Sequence, residues 1–400
     1  MKRLFGLAIG GLLVLTVFSS RVLADDDIKV LTQNQYLGAD LTPIILSQTP
    51  EEFSTAVVTA FTQAATNNFP LRAQRFATQV ALTEPDLIGL QEVFDVKLNG
   101  ANVGPPFVDH LAVTLDALAA RGQHYVVAAI VINFNITIPF DVNGDGNDDL
   151  VSVVDRDVIL AGRGANFTKL AGNYTDGGLC GVPIPIQLPS PFPSVLQSSP
   201  SDDGCNYTIG VQVDSPLFDD PIIIPRGFVG IDAMVRGKKY RFVTTHLEVR
   251  ELDPILQSLQ SVELVGTLQA TTPPDRTLIL VGDLNSSPEH EPIDGIIPPY
   301  QIIAGTNFAD IWDTNPLRFF NPGGFTCCHL ADLSNTMSLL NERVDIIFVR
   351  EASFLPLAFV TGQVPIFPLT VPPNWVSDHA GVFGKLTFGQ TPWLVAGQSQ

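Results

Sequence analysis

Thr277-Leu278-Ile279-Leu280-Val281-Gly282-Asp283-Leu284-Asn285 is the stretch on which the fold turns. Leu278 to Val281 form an unbroken apolar run, the pattern of a short strand buried on both faces, and the predicted strand spans 277–281. It stops on a glycine, an acid and an amide, so a buried strand delivers polar side chains to one end of a sheet. The same design recurs along the chain. Ile28-Lys29-Val30-Leu31 runs into Gln33 and Asn34, and Asp86–Leu90 runs into Gln91 and Glu92. Residues 240–245 run into His246, Asp345 opens a strand over 344–349, and Ser377-Asp378-His379 precedes one over 381–388. Shorter signals lie at 125–138, 158–160 and 229–235, with Arg236-Gly237-Lys238-Lys239 as a hairpin turn.

Between the strands the spacing predicts helices over 50–67, 71–82, 108–120 and 254–270. Strands mixed with helices, some joined by hairpins, imply a layered α/β domain with mixed sheets. Side chains at strand ends can converge on one cleft, where loops carry the chemistry. The set here is carboxylates, amides and imidazoles. Such hard oxygen donors suit Mg²⁺ or Mn²⁺, and histidine supplies a proton or a hydrogen bond to a phosphoryl oxygen.

Composition narrows the function classes. The chain has 400 residues, 22 Lys and Arg against 41 Asp and Glu, and a formal charge of −19. With 45% hydrophobic residues spread throughout, it is neither disordered nor a coiled coil. Its charge disfavours a broad basic surface for nucleic acid, but leaves room for a site where metal ions supply the positive charge. Lys2 and Arg3, the apolar stretch Leu4–Phe18 and Val22-Leu23-Ala24 have the layout of a signal peptide over residues 1–24, so the expected location is secreted or periplasmic. Losing Lys2, Arg3 and Arg21 would take the charge from −19 to −22. One domain is expected over 25–388, with a Pro- and Ser-rich surface insertion at 181–200 and a loosely held tail at 389–400.

Gln91-Glu92-Val93, Thr245-His246-Leu247, Gly282-Asp283-Leu284-Asn285 and Ser377-Asp378-His379 together resemble the ordered motifs of the endonuclease/exonuclease/phosphatase superfamily. Asn34 in Gln33-Asn34-Gln35-Tyr36-Leu37-Gly38 is similar to its first motif, and Arg343-Val344-Asp345-Ile346-Ile347 to its penultimate one. The resemblance implies a four-layer α/β sandwich, two mixed central sheets flanked by helices. It implies Glu92 as the main ligand of a catalytic Mg²⁺ or Mn²⁺, with Asn34 and Asp378 contributing. Asp283 and Asn285 would orient water and phosphate, His246 would contact the phosphoryl group, and His379 would act with Asp345 as its carboxylate partner. The implied reaction is hydrolysis of a phosphoester, in nucleic acid or in a phospholipid headgroup as in bacterial sphingomyelinases. Asp345 also has a structural alternative, an ion pair with Arg343.

A second signal is Asp141-Val142-Asn143-Gly144-Asp145-Gly146-Asn147-Asp148-Asp149. Asp141, Asn143, Asp145 and Asp149 with Gly146 resemble a calcium loop that lacks the bidentate glutamate of an EF-hand; a solvated acidic turn is the other reading. The four cysteines allow a Cys180–Cys205 clip, and a vicinal Cys327–Cys328 bridge or two free thiols. Beside the nuclease-like hydrolase and the sphingomyelinase-type phospholipase stands a third class, a noncatalytic surface module stabilised by Ca²⁺.

Overall fold

The computed structural model describes residues 27–170, 204–213, 222–350, 352–366 and 372–389. The expected signal peptide, the insertion at 181–200, Cys180 and the tail beyond Gly389 lie outside the described residues.

The chain opens with β1 (Asp27–Asn34), a short α1 (Thr42–Ile45), α2 (Pro50–Thr66) and α3 (Phe69–Thr83). Next come β2 (Leu87–Gln91), β3 (Asp95–Leu98), α4 (His110–Ala120) and the long hairpin of β4 (Tyr125–Phe140) and β5 (Asp149–Gly162). Four short strands follow: β6 (Ala165–Lys169), β7 (Gly204–Asn206), β8 (Val211–Val213) and β9 (Ile222–Ile224). The second half holds β10 (Gly227–Val235), β11 (Lys238–His246), α5 (Pro254–Thr271), β12 (Thr277–Asp283) and α6 (Pro299–Ala304). It ends with β13 (Phe308–Asp310), β14 (Asp345–Arg350), β15 (Phe354–Val360) and β16 (Val382–Phe388).

Local chemistry sets these boundaries. The Thr49 hydroxyl accepts from the Glu52 N–H at 3.2 Å, with Pro50 and two acids in the first turn of α2. Asp253 caps α5 in the same way, again with proline following. Arg236 and Gly237, both at positive φ, make the two-residue turn that pairs Val235 with Lys238.

One sheet runs β15-β16-β1-β2-β5-β3 with β4 also on β5; the other runs β13-β14-β12-β11-β10-β6 with β7 also on β10. Each holds one parallel pair, β1 with β2 and β11 with β12, among antiparallel neighbours, so both are mixed. Val30, Leu87, Ile159, Phe242, Ile279 and Ile347 fill the space between the sheets. Leu31, Ile88 and Leu90 face outward beneath α3 and α4, and Val243, Leu280 and Phe348 face outward beneath α5 and α6. The order is helix, sheet, sheet, helix: a four-layer α/β sandwich. At Gly89 a Cβ would lie 2.6 Å from Val281 Cγ2 and 2.7 Å from Thr244 Oγ1, so the sheets meet there with no room for a side chain.

Register then aligns the strand ends. Asn34 pairs with Gln91, His246 with Asp283, and Asp283 with Asp345. Gln91 Nε2 donates to Thr244 Oγ1 at 2.7 Å and ties one sheet to the other just behind these ends.

Candidate active site

Seven of the expected residues meet at that edge. Asn34 sits in the middle, its Nδ2 donating to Glu92 Oε1 and to Asp283 Oδ2, each at 3.0 Å. Its Oδ1 accepts from the Tyr36 N–H at 2.9 Å. Asn34 therefore orients two carboxylates in this arrangement. Asp283 Oδ1 accepts from the Asn285 N–H at 2.9 Å, and its Oδ2 lies 3.6 Å from both His246 Nε2 and His379 Nδ1. Asn285 Nδ2 lies 3.1 Å from His246 Nε2 and donates to the Leu247 carbonyl at 2.9 Å. Tyr36, Glu92 and Asn285 all hold positive φ without being glycine, backbone strain of the kind that gathers at functional sites.

The two imidazoles differ in charge. Arg226 Nη1 lies 3.1 Å from His246 Nδ1 and Asn285 Nδ2 lies 3.1 Å from Nε2, so a donor faces each nitrogen of the ring. Burial, then the Arg226 charge, pushes the His246 pKa down to about 3. His379 goes the other way: burial opposes its charge, but Asp345 and Asp283 outweigh burial and hold the ring well above its usual value. Asp345 Oδ2 is 2.8 Å from His379 Nδ1, while Arg343 pairs with Asp310 through Nη1 and Oδ2. The alternative of an Asp345–Arg343 pair is thereby set aside. Burial raises Asp345 to about 6, which leaves it anionic at neutral pH beside a charged ring.

Glu92 and Asp378 would offer a divalent cation oxygen donors on one side of this cluster. Glu92 and Asp378 are half-buried, and burial, then the Asp378 charge, raises the Glu92 carboxyl above its usual range. Two crowded carboxyls with only oxygen to offer are the donor set a hard cation takes. Asp283, Asp345 and His379 also lie close enough together to hold an ion.

Other expected features fall away from the site. In the 141–149 loop, Asp141 accepts from the Gly144, Asp145 and Gly146 N–H groups, and Asn143 from Asp145. Asp145 accepts from Asn147, and Asp149 Oδ1 from Asn99 Nδ2 at 2.8 Å. These bonds form an exposed turn apart from the catalytic strand ends. Cys327 and Cys328 stand at the site, with Cys328 Sγ 3.9 Å from His379 Nε2. The sequence left a vicinal bridge and two free thiols open for this pair; it is not a disulfide. The Cys180–Cys205 pairing lies outside the described residues.

Sequence reasoning missed three supports. Arg226, Arg72 and Thr326 act here, yet none sits in a motif. Arg72 is fully buried and donates to the carbonyls of Gln35, Tyr36, Asn67 and Val376, clamping the exit of β1 to the segment before His379. Thr326 Oγ1 accepts from the Asp345 N–H at 3.1 Å.

No family model matches the chain, and no curated protein matches it. Solved structures do resemble it. The chain is similar to endonuclease/exonuclease/phosphatase proteins. One such protein, from Bacteroides thetaiotaomicron, is 14% identical with a TM-score of 0.47, covering 91% of this chain and 98% of that one. Another, from Beutenbergia cavernae, is 17% identical with a TM-score of 0.48, covering 91% of this chain and 72% of that one. Truncated TDP2 from Caenorhabditis elegans is 14% identical with a TM-score of 0.48, covering 91% of this chain and 98% of that one. These likenesses are distant, and the chemistry is carried by the site's own geometry.

Proposed function

We propose that the chain is a phosphoester hydrolase: a nuclease-like phosphodiesterase, dependent on Mg²⁺ or Mn²⁺ and exported. The observation that carries this is one unbroken cluster, Glu92 through Asn34 to Asp283, then to His246 and to His379 with Asp345. A divalent cation held by Glu92 and Asp378 would offset the anionic charge that makes a phosphodiester resist attack. The remaining work belongs to the chain. Asp283 is kept ionised: burial opposes its charge, but the charged His379 ring outweighs that, helped by the hydrogen bonds from Asn285 and Asn34, and lowers its pKa. An ionised Asp283 accepts a proton-bearing water and aims it, with the Asn285 amide beside it. Neutral His246 flanks the site on one side, and charged His379 offers Nε2–H from the other. Fixed donors of this kind are worth most where charge develops in the transition state. Asp345 holds the His379 ring and its charge.

A phospholipid headgroup is the second reading, favoured by one observation. Phe319, Phe320 and Met337 are 86%, 81% and 76% exposed, on the segment between β13 and β14 that also brings Thr326 and Cys328 to the site. Of two further apolar stretches, Ile222–Ile224 forms β9 paired with β8, and 192–196 lies outside the described residues.

The test is a panel of plasmid DNA, RNA, sphingomyelin and inositol phosphates with Mg²⁺. Turnover of a diester, lost in chelator and in Glu92→Ala, is the expected result. Full turnover by a metal-free preparation would overturn the metal requirement, and no turnover of any member would favour the noncatalytic module.

A further inference from the structure

We propose that Asp155, Asp157 and Asn133 form a second site for a hard divalent cation, buried between the sheets behind the candidate active site. Asp155 and Asp157 alternate along β5, so their side chains share one face. Opposite them the ladder is irregular between Ile132 and Phe134, and Asn133 is the residue left over on β4. All three are buried: 4%, 0% and 1% exposed. Asn133 Nδ2 lies 3.5 Å from Asp155 Oδ2. Four oxygens of this group have no hydrogen-bond partner: Asp155 Oδ1, both oxygens of Asp157, and Asn133 Oδ1.

A buried acceptor without a donor is costly, and four together call for something positive. The nearest cation is Arg226, 4.0 Å from Asp155 Oδ2, and it is already shared with Glu248 at 3.3 Å and with the His246 ring. Its Nε, also without a partner, can serve one oxygen and leaves three. Asp155, Asp157 and Glu248 against Arg226 leave two negative charges uncompensated. A single proton cancels one of them; a divalent cation cancels both. The donors are oxygen alone, which selects Mg²⁺, Mn²⁺ or Ca²⁺ over softer metals. Neither Glu92 nor Asp378 is among its donors, and the Glu92 charge acts on both Asp155 and Asp157. A cation there would also leave Arg226 to Glu248 and His246.

The measurement is a count of bound Mn²⁺ by equilibrium dialysis on the full chain carrying Asp145→Ala, which removes the exposed acidic loop from the count. Adding Asp157→Asn should lower the count by one while keeping the ion that Glu92→Ala removes, and combining the two should lose both. Asn133→Asp adds a charged ligand and should tighten Mn²⁺ by at least about tenfold, with a higher melting temperature in Mn²⁺ than in chelator. An unchanged count in Asp157→Asn would overturn the proposal. So would an Asn133→Asp chain whose melting temperature falls equally with and without Mn²⁺; a proton shared between the two acids would then account for the pair. Should Asp157→Asn not fold, the Asn133→Asp comparison decides alone.

Discussion

Asp345 and His379 form the closest charged contact among the candidate catalytic residues, and their separation of 2.8 Å makes a specific claim about rate. An amide at Asp345 can still orient the ring but cannot stabilise its positive charge. Asp345→Asn should keep the fold and the metal and lower kcat by about 10²–10⁴, the span of a positioned acid or base. Because the two act as a unit, adding His379→Ala should cost little beyond His379→Ala alone. Steady-state kinetics on the panel's substrate reads this, and strictly additive losses would place Asp345 in another role. Arg72 makes a contrasting claim about stability. Its guanidinium serves four backbone carbonyls, and burial lowers its pKa to about 10, still charged at neutral pH. Arg72→Met strands those carbonyls and should cost on the order of 3 kcal/mol. The denaturation midpoint should fall accordingly, and an unchanged midpoint would show that the clamp is dispensable.

At the scale of elements, the catalytic edge depends on how closely strands run beside one another. Gly282 holds φ +146° within β12, and a Cβ there would lie 2.0 Å from the Thr245 carbonyl oxygen. Gly282→Ala must push β11 from β12 at the His246–Asp283 step, costing about 3 kcal/mol as overpacking. Denaturant unfolding should show that loss, with activity falling further than the folded fraction; wild-type stability would mean the strands can part freely. The same elements show what the sequence could tell. The runs ending on Asn34, Glu92, His246 and Asp283 were legible because buried strands are apolar throughout and stop abruptly at polar residues. β15 was not: Pro356 interrupts it, and Leu355, Leu357 and Phe359 are partly exposed, as an edge strand allows. β13 is three residues long and carries no pattern. Among side chains, Arg72 lies in the first turn of α3 and Arg226 just before a strand. Most of their partners lie in other elements, from Gln35 and Val376 for Arg72 to Asp155 and His246 for Arg226, and no local spacing announces them.

For the molecule as a whole, the net charge of −19 acts against any polyanionic substrate before contact. Most nucleic-acid-binding proteins lose affinity as salt rises, because basic side chains release counterions from the phosphates. Here the catalytic edge is built from Glu92, Asp378, Asp283 and Asp345, and of the neighbouring arginines Arg226 faces Glu248 and Asp155, while Arg343 faces Asp310. Screening should therefore relieve repulsion more than it weakens attraction. With metal held saturating, kcat/KM on plasmid DNA should rise as ionic strength goes from about 10 to 150 mM, where the Debye length shrinks from about 30 to 8 Å. A zwitterionic lipid headgroup carries no net charge to repel, and its turnover should stay flat over the same range. A steep fall on DNA would mean that basic groups govern the encounter.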